Sequence, residues 1–403
     1  MKKLFVLLVI VSIVAFAFAK DTLVVTSRLW SAPSEKEFII NEIIKPFEEA
    51  NDCEVKFSTL DDTKILEQVK LQAETGNITT DVIIVYCQNM PEWVENGLVE
   101  NLTSLSDSWT DRTFSKGYDS MTVFDGERYF LPVGADVYLF IANKKALPYL
   151  PEGADVANLT WEEVVEWANA VAEGEGEGKY AVTGVPQKSL IYQYGGVYLS
   201  YGNGWPWLDT PPAMAAFYLM SKMCDAYTPT VMTYDDVRPP LKRGEAWLAA
   251  AHCARVGEVY KNDPTQFVVG PTPSGPAGIG SIAGTSGFAI VEGTKNQELA
   301  EKFVEYMTRP DIMLEASKGS GGFIPPVDEA IDLLTDTPDD EIIAMAIKVM
   351  QEGNLSFIDS VWKDWGAVKL VYDDIFKDMI IGECTLDPTY LELLNLRIQE
   401  LHK

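Results

Sequence analysis

The sequence predicts an α/β protein of two domains, and three observations carry the prediction. Between Leu23 and Val85, short apolar runs alternate with stretches of helical spacing, the pattern of a parallel sheet with helical connections. At 403 residues the chain exceeds what one hydrophobic core usually organises, even without its first nineteen. From Gly280 to Pro326, a small-residue loop (Gly284-Thr285-Ser286-Gly287), an apolar strand (Phe288 to Val291) and an amphipathic helix (Leu299, Ala300, Phe303, Val304, Met307) follow in order. Arg309 and Pro310 close that helix, and a glycine cluster and the pair Pro325-Pro326 come after it.

The elements follow along the chain. Lys2 and Lys3, an apolar run from Leu4 to Phe18 and the small-residue pattern ending at Ala19 form a secretory signal peptide, with cleavage expected after Ala19. Its apolar stretch of about 15 residues is short of the roughly 20 that a spanning helix needs. No cysteine lies near the cleavage point, so a soluble periplasmic protein is expected rather than a lipoprotein. Leu23 to Thr26 reads as a strand, Glu35 to Ala50 as a helix with Ile39, Ile43 and Phe47 on one face, and Glu54 to Ser58 as a second strand. Leu66, Val69 and Ala73 mark a helix stopped by Gly76, and Val82 to Val85 is a buried strand.

Thr160-Trp161-Glu162-Glu163 is a capping box opening a helix to about Ala172. Glu173 to Lys179 then reads as a solvated turn, since its glutamates lack the spacing of a calcium loop. The segment GGVYLSYGNGWPW reads as a glycine-rich loop. Ala213 to Tyr227 is helical, Phe267 to Val269 a strand, and the chain from Asp340 mainly helical, with Trp362, Trp365, Val368, Tyr372 and Ile375 as a stripe.

Composition excludes several functions. The formal net charge of −28 argues against nucleic acid or anionic lipid as partners. With only His252 and His402, neither HExxH zinc chemistry nor a multi-histidine metal site is available, and no metal or cofactor is expected. There is no GxSxG elbow and no phosphate-binding lysine loop. Cys53, Cys87, Cys224, Cys253 and Cys384 are odd in number; Cys53 and Cys87 read as core residues, and Cys224 with Cys253 as a possible disulfide.

Seven segments in register resemble the family 1 extracellular solute-binding proteins, the sugar-binding components of ABC transporters. They are KPFEEANDCEVKF from Lys45, GNITTDVIIVYCQNMPEWVENGLVENLTSL from Gly76, DGERYFLPV from Asp125, TWEEVVEWANAV, KRGEAWL, FVVGPTPSGPAG and the Gly280 to Pro326 stretch. The resemblance implies a two-lobed periplasmic binding protein fold of type II, each lobe a sheet flanked by helices and discontinuous in sequence. Residues 20–136 and 285–325 would form lobe 1, and 137–284 and 326–403 lobe 2. It implies an oligosaccharide ligand in the interlobe cleft, hinge closure, delivery to membrane permease subunits, and a monomer that is not an enzyme.

Candidate ligand residues follow from aromatic faces for sugar C–H surfaces and polar groups for hydroxyls. Trp93, Trp161 and Trp167 lie on helical faces and read as core. Trp30 follows the first strand, Trp205 and Trp207 sit in the glycine-rich segment, and the resemblance places Trp362 and Trp365 where such families set a stacking aromatic. Strand ends and crossovers add Asp61, Asp62, Gln88, Asn89, Asp136, Thr285 and Ser286. Arg255, in GEAWLAAAHCAR, stands near where the family has an aromatic; its planar fork suits a carboxylate, which raises a uronate-containing sugar as a ligand. Two other readings stay open: a secreted carbohydrate-active enzyme, with His252 as a base, and a binder of the same fold for a polyamine or another small solute.

Overall fold

In the computed structural model, the described residues are 20–115, 118–319, 323–357, 362, 364–381 and 387–402. The expected signal peptide and Cys384 lie outside them. The first sheet starts with β1 (Asp21–Ser27), β2 (Cys53–Thr59) and β3 (Val82–Tyr86), paired in parallel in the order β2-β1-β3. Their connections cannot be hairpins, so helices cross over. The first crossover is α1 (Pro33–Phe38), a π-helical stretch from Ile39 to Ile44, and α2 (Lys45–Asn51); Ile39, Ile43 and Phe47 are buried on one face, as their spacing predicts.

The second crossover, α3 (Asp62–Thr75), is capped by the Asp61 side chain on Thr63 N and stopped by Gly76 at φ 65°. Its buried face is Ile65, Val69 and Gln72 rather than Leu66, Val69 and Ala73, one position out of register with the sequence reading. Gln72 is inside because its Oε1 accepts from the amides of Thr79 and Thr80, which satisfies the loop leading to β3.

Next come α4 (Met90–Glu95), α5 (Thr103–Asp107), α6 (Asp119–Thr122) and the short hairpin of β4 (Val123–Phe124) and β5 (Glu127–Arg128). β6 (Leu131–Asp136) belongs to the first sheet, and after Val137 the chain enters β7 (Tyr138–Asn143) of a second sheet. That sheet includes β8 (Tyr180–Ala181), β9 (Leu248–His252) and β10 (Phe267–Pro271) in the order β10-β7-β9-β8. Between β7 and β10 lie α7 (Trp161–Glu175), α8 (Leu190–Tyr201), α9 (Pro211–Ser221), α10 (Arg238–Arg243) and α11 (Cys253–Asn262). The capping box forms, with Thr160 Oγ1 accepting from Glu163 N and Glu163 reaching back to Thr160 N. α7 runs three residues beyond the expected end, so the first glutamates of the expected turn are helical.

Two further readings need correction. GGVYLS is the second half of helix α8, not a loop; the glycines are there for proximity, not for turning. A Cβ on Gly195 would sit 2.7 Å from the Ile282 side chain, so the helix lies almost in contact with the strand beneath. That strand is β12 (Gly278–Ile290), preceded by β11 (Ser274–Gly275), and it contains the Gly284 to Gly287 segment read as a loop. Its small residues let one extended strand pair with successive partners along its length: residues 286–290 with β3, 284–288 with β6, and 280–283 with β13 (Asn354–Phe357).

α12 (Gln297–Met307) ends before Pro310, as expected, but Pro310 opens another helix, α13 (Pro310–Gly319). The rest is α14 (Pro338–Glu352), α15 (Trp365–Ile381) and α16 (Pro388–Leu401). The Cys224–Cys253 disulfide is not formed: Cys224 is in a disulfide, whereas Cys253 keeps a thiol that donates to Asp136 Oδ1 at 3.1 Å. Cys53 and Cys87 are buried, as read. The molecule is two-lobed: one core surrounds the second sheet and the C-terminal helices, and two others cover the faces of the first sheet.

Candidate functional site

A cavity of about 390 Å³ opens where β12 and the β6–β7 connection pass between the sheets. The first sheet contributes Arg28 and Leu29 beyond β1, and Tyr86 and Gln88 at the end of β3. These are carboxyl ends of parallel strands, where helical crossovers part and leave a crevice. β12 forms the floor with Ile282 to Ser286, and the second lobe supplies Tyr138, Tyr192, His252 and Lys369.

Arg28 is fixed from three sides. Its guanidinium carbon lies 3.1 Å from the Tyr86 ring centroid, Nε donates to Asp62 Oδ2 at 2.6 Å, and Nη1 donates to Ser286 Oγ at 3.2 Å. Asp62 also accepts from Tyr86 N at 3.0 Å. Burial raises the Asp62 carboxyl above its ordinary range, against the opposing pull of Arg28. Asp62 therefore orients Arg28 from behind rather than lining the cavity.

A second cluster gathers at Asp136. His252 Nδ1 lies 2.7 Å from Asp136 Oδ2, and its Nε2 shares a 2.9 Å hydrogen bond with Tyr138 Oη. The two rings are 4.4 Å apart. Burial alone would raise the Asp136 carboxyl, but His252 and the Cys253 thiol hold it below the usual range. Tyr192 stands beside this cluster, its hydroxyl accepting from Trp365 Nε1 at 2.8 Å with the two rings nearly parallel at 6.4 Å. Lys369 Nζ lies 5.3 Å from the Tyr192 ring centroid and donates to Gln187 O at 3.3 Å; burial lowers its ammonium pKa.

Of the residues singled out in the sequence, Gln88, Asp136, Thr285 and Ser286 line this cavity. Thr285 Oγ1 is committed to Gly134 O at 2.6 Å. Asp61 is an exposed helix cap, and Asn89 sits in the turn before α4. Trp30, 3% exposed at φ 57°, packs against Phe57 in the first lobe's core. Trp205 meets Trp365 edge-on at 5.6 Å, and Trp207 and Trp362 pack on each other and on His402. The four tryptophans form a buttress behind Tyr192, outside the cavity's lining. Arg255 donates to Ser189 Oγ at 3.1 Å and lies 3.8 Å from Asp236, also outside it.

Arg28, Tyr86, Tyr138, Tyr192, Phe323 and Lys369 line the cavity without being singled out in the sequence; His252, open there to a base or to core or cleft hydrogen bonding, is a hydrogen-bonded residue of the cleft. Tyr86 and Arg28 carry the same strand-end signal that selected Gln88. Tyr192 was hidden because the half of its helix that follows it, GGVYLS, reads as a loop. Among the described residues, no group of His, Cys, Asp and Glu is placed to hold a metal ion, and no helix is long and apolar enough to cross a membrane.

Known proteins agree with this architecture. The sequence is 26% identical over 363 residues to the maltodextrin-binding protein MdxE of Bacillus subtilis, covering 84% of this chain and 82% of that protein. It is 24% identical over 330 residues to a putative binding protein of Brucella abortus, covering 78% and 79%. Among solved structures, the sugar-binding protein MalE of Xanthomonas citri superposes with a TM-score of 0.72 at 17% identity, over 94% of this chain and 97% of that one. The raffinose complex of RafE gives 0.69 at 17% identity, over 94% and 99%. Residues 42–346 match the profile of the bacterial extracellular solute-binding proteins, and the chain belongs to that family.

Proposed function

We propose that this protein is the extracytoplasmic binding component of an ABC importer, which closes around a sugar between its lobes and delivers it to membrane permease subunits. The observation that carries the reading is the cavity itself. It lies where Asp136–Tyr138 and Ile282–Ser286 cross between the sheets, and both sheets contribute to its walls. A solute held there touches both lobes at once, so binding favours the closed form. Aromatic faces at Tyr86, Tyr138 and Tyr192 stand beside hydrogen-bonding groups at Arg28, Gln88, Asp136 and Ser286, the combination that sugar rings require. Its volume of about 390 Å³ falls in the ordinary range for small-molecule sites and suits a short oligosaccharide.

Export to the periplasm, a monomeric state and a binding rather than an enzymatic role complete the reading; family membership supports them. The hinge would lie at the three crossings near Asp136, Gly284 and Pro325, with lobe 1 formed by 20–136 and 285–325. Arg255, the residue whose fork suits an acidic sugar, turns towards Ser189 and Asp236. The charge of the ligand must be read from the cavity instead.

A thermal-shift panel of neutral oligosaccharides, uronates, polyamines and metal ions tests the proposal, since a ligand bound only by the folded state raises the Tm by mass action. A shift with sugars supports it. A shift with spermidine alone, or cleavage of a glycan during incubation, would replace it with the polyamine or the enzyme reading.

A further inference from the structure

Building on the sugar-binding reading, we infer that the ligand carries a carboxylate, held between Arg28 of the first lobe and Lys369 of the second. Two cations line the same cavity of a protein whose formal net charge is −28. They come from different lobes: Arg28 directly follows β1, and Lys369 lies on α15, whose apolar face packs into the second lobe's core.

The carboxylates nearest the cavity already have partners. Asp62 pairs with Arg28, and Asp136 lies against His252. No described carboxylate lies within ion-pair distance of Lys369. Its ammonium is only partly exposed, with Gln187 O as its hydrogen-bond acceptor and the Tyr192 ring nearby. Asp373, four residues along the same helix, and Lys188 act on it from farther off and with opposite sign. A neutral sugar would leave this ammonium half-buried without a counter-charge, which is costly. A monoanion supplies one.

Arg28 is prepared for the same group. Nε and Nη1 are engaged by Asp62 and Ser286, and Tyr86 holds the plane of the guanidinium, so its remaining N–H groups have a fixed direction. An anion that meets both residues touches both lobes at once, so its binding favours the closed form. One ammonium without an ion-pair partner matches the single charge of a carboxylate, which places uronic-acid sugars as the ligand class.

The test is calorimetry of the full protein with galacturonate, glucuronate and mannuronate oligosaccharides, their methyl esters, neutral oligosaccharides of the same length, and a hexose phosphate. The expected result is an acid bound at least about tenfold tighter than its ester, the scale of one charge-assisted contact. Lys369→Met should bring that ratio towards one, and Lys369→Arg should restore it. Arg28→Lys, which keeps a charge beside Asp62, should lower the ratio in part. An ester or neutral sugar bound as tightly as the acid overturns the inference and leaves the sugar reading standing. A hexose phosphate bound more tightly than any uronate overturns the choice of carboxylate. Failure of all sugars to bind, while polyamines or metals do, overturns both readings. If Lys369→Met melts much lower than the parent protein, Lys369→Gln is used and the acid-to-ester ratio is read in the same way.

Discussion

Trp365 shows how a side chain can serve a site without lining it. Its indole N–H donates to the Tyr192 hydroxyl and its ring lies nearly parallel to Tyr192, while Trp205 braces it from the far side. Removing it leaves the Tyr192 ring in place but free to turn, so the effect should be on affinity more than on fold. Trp365→Leu is expected to weaken sugar binding by about tenfold, of the order of one stacking contact and one hydrogen bond. Trp365→Phe, which keeps the stacking, should recover part of it; isothermal titration of the two variants checks this, and equal affinities for parent and Trp365→Leu would remove Trp365 from the site. The sequence could not distinguish platform from buttress, because an indole in a helix has the same spacing in either role. Strand ends were more legible. Gln88 follows from its place beyond β3, because the carboxyl edge of a parallel sheet is where crossovers leave space, and Ser286 from the crossing that the family resemblance implies.

At the scale of elements, the pairing of α8 with β12 rests on missing side chains. A Cβ on Gly280 would lie 2.3 Å from Gly196 O and from Ser200 N, both backbone atoms that cannot swing aside. A Cβ on Gly284, four residues further along the same strand, meets nothing within 4 Å. Gly280→Ala should therefore destabilise the protein by about 3 kcal/mol through overpacking, and Gly284→Ala by about 0.5 kcal/mol or less. Chemical denaturation of the two variants measures the contrast, and equal losses would refute the packing account. The same feature explains why this region was misread. Glycine is punctuation in a local reading, whereas here two glycine-bearing elements have been brought close by the tertiary fold, which a single stretch of sequence does not display. Helices with capping signals, such as α7 at Thr160, were legible because their cause is local.

The whole molecule was legible through the order of its segments rather than through any one of them, since the crossings between sheets dictate that order. One contact between lobes was not legible at all. Lys318 Nζ, at the end of α13, lies 2.7 Å from Asp340 Oδ1 in the first turn of α14, with the Asp340 side chain 1% exposed. Burial alone would raise the Asp340 carboxyl, but Lys318 and the hydroxyls of Thr335 and Thr337 hold it well below the ordinary range. A depressed folded-state pKa stabilises above the unfolded value of about 4, and the contribution disappears as pH falls through the folded value. Asp340→Asn should accordingly cost about 2 kcal/mol at pH 7 and progressively less below about pH 4. Melting curves of both proteins from pH 7 to pH 2 should converge, and parallel curves would count against the pair.

The long strand β12, paired with β3 and β6 at one end and β13 at the other, also has a consequence for the order in which the molecule assembles. β3 pairs on its outer edge with β12, Tyr86 opposite Ser286, a separation of some 200 residues, and β12 in turn pairs with β13, which begins at Asn354. As the chain is synthesised, the first sheet keeps an open edge until β12 exists, and β12 itself is incomplete until β13 follows. Such distant pairings make folding slow and late. In refolding followed by pulsed hydrogen exchange, the β3 amides that donate to β12 should gain protection in the last phase, together with the β12 amides that donate to β13, whereas those of β3 that face β1 need not wait. A chain that cannot close its first lobe until nearly all of it has been made remains threadable for most of its synthesis.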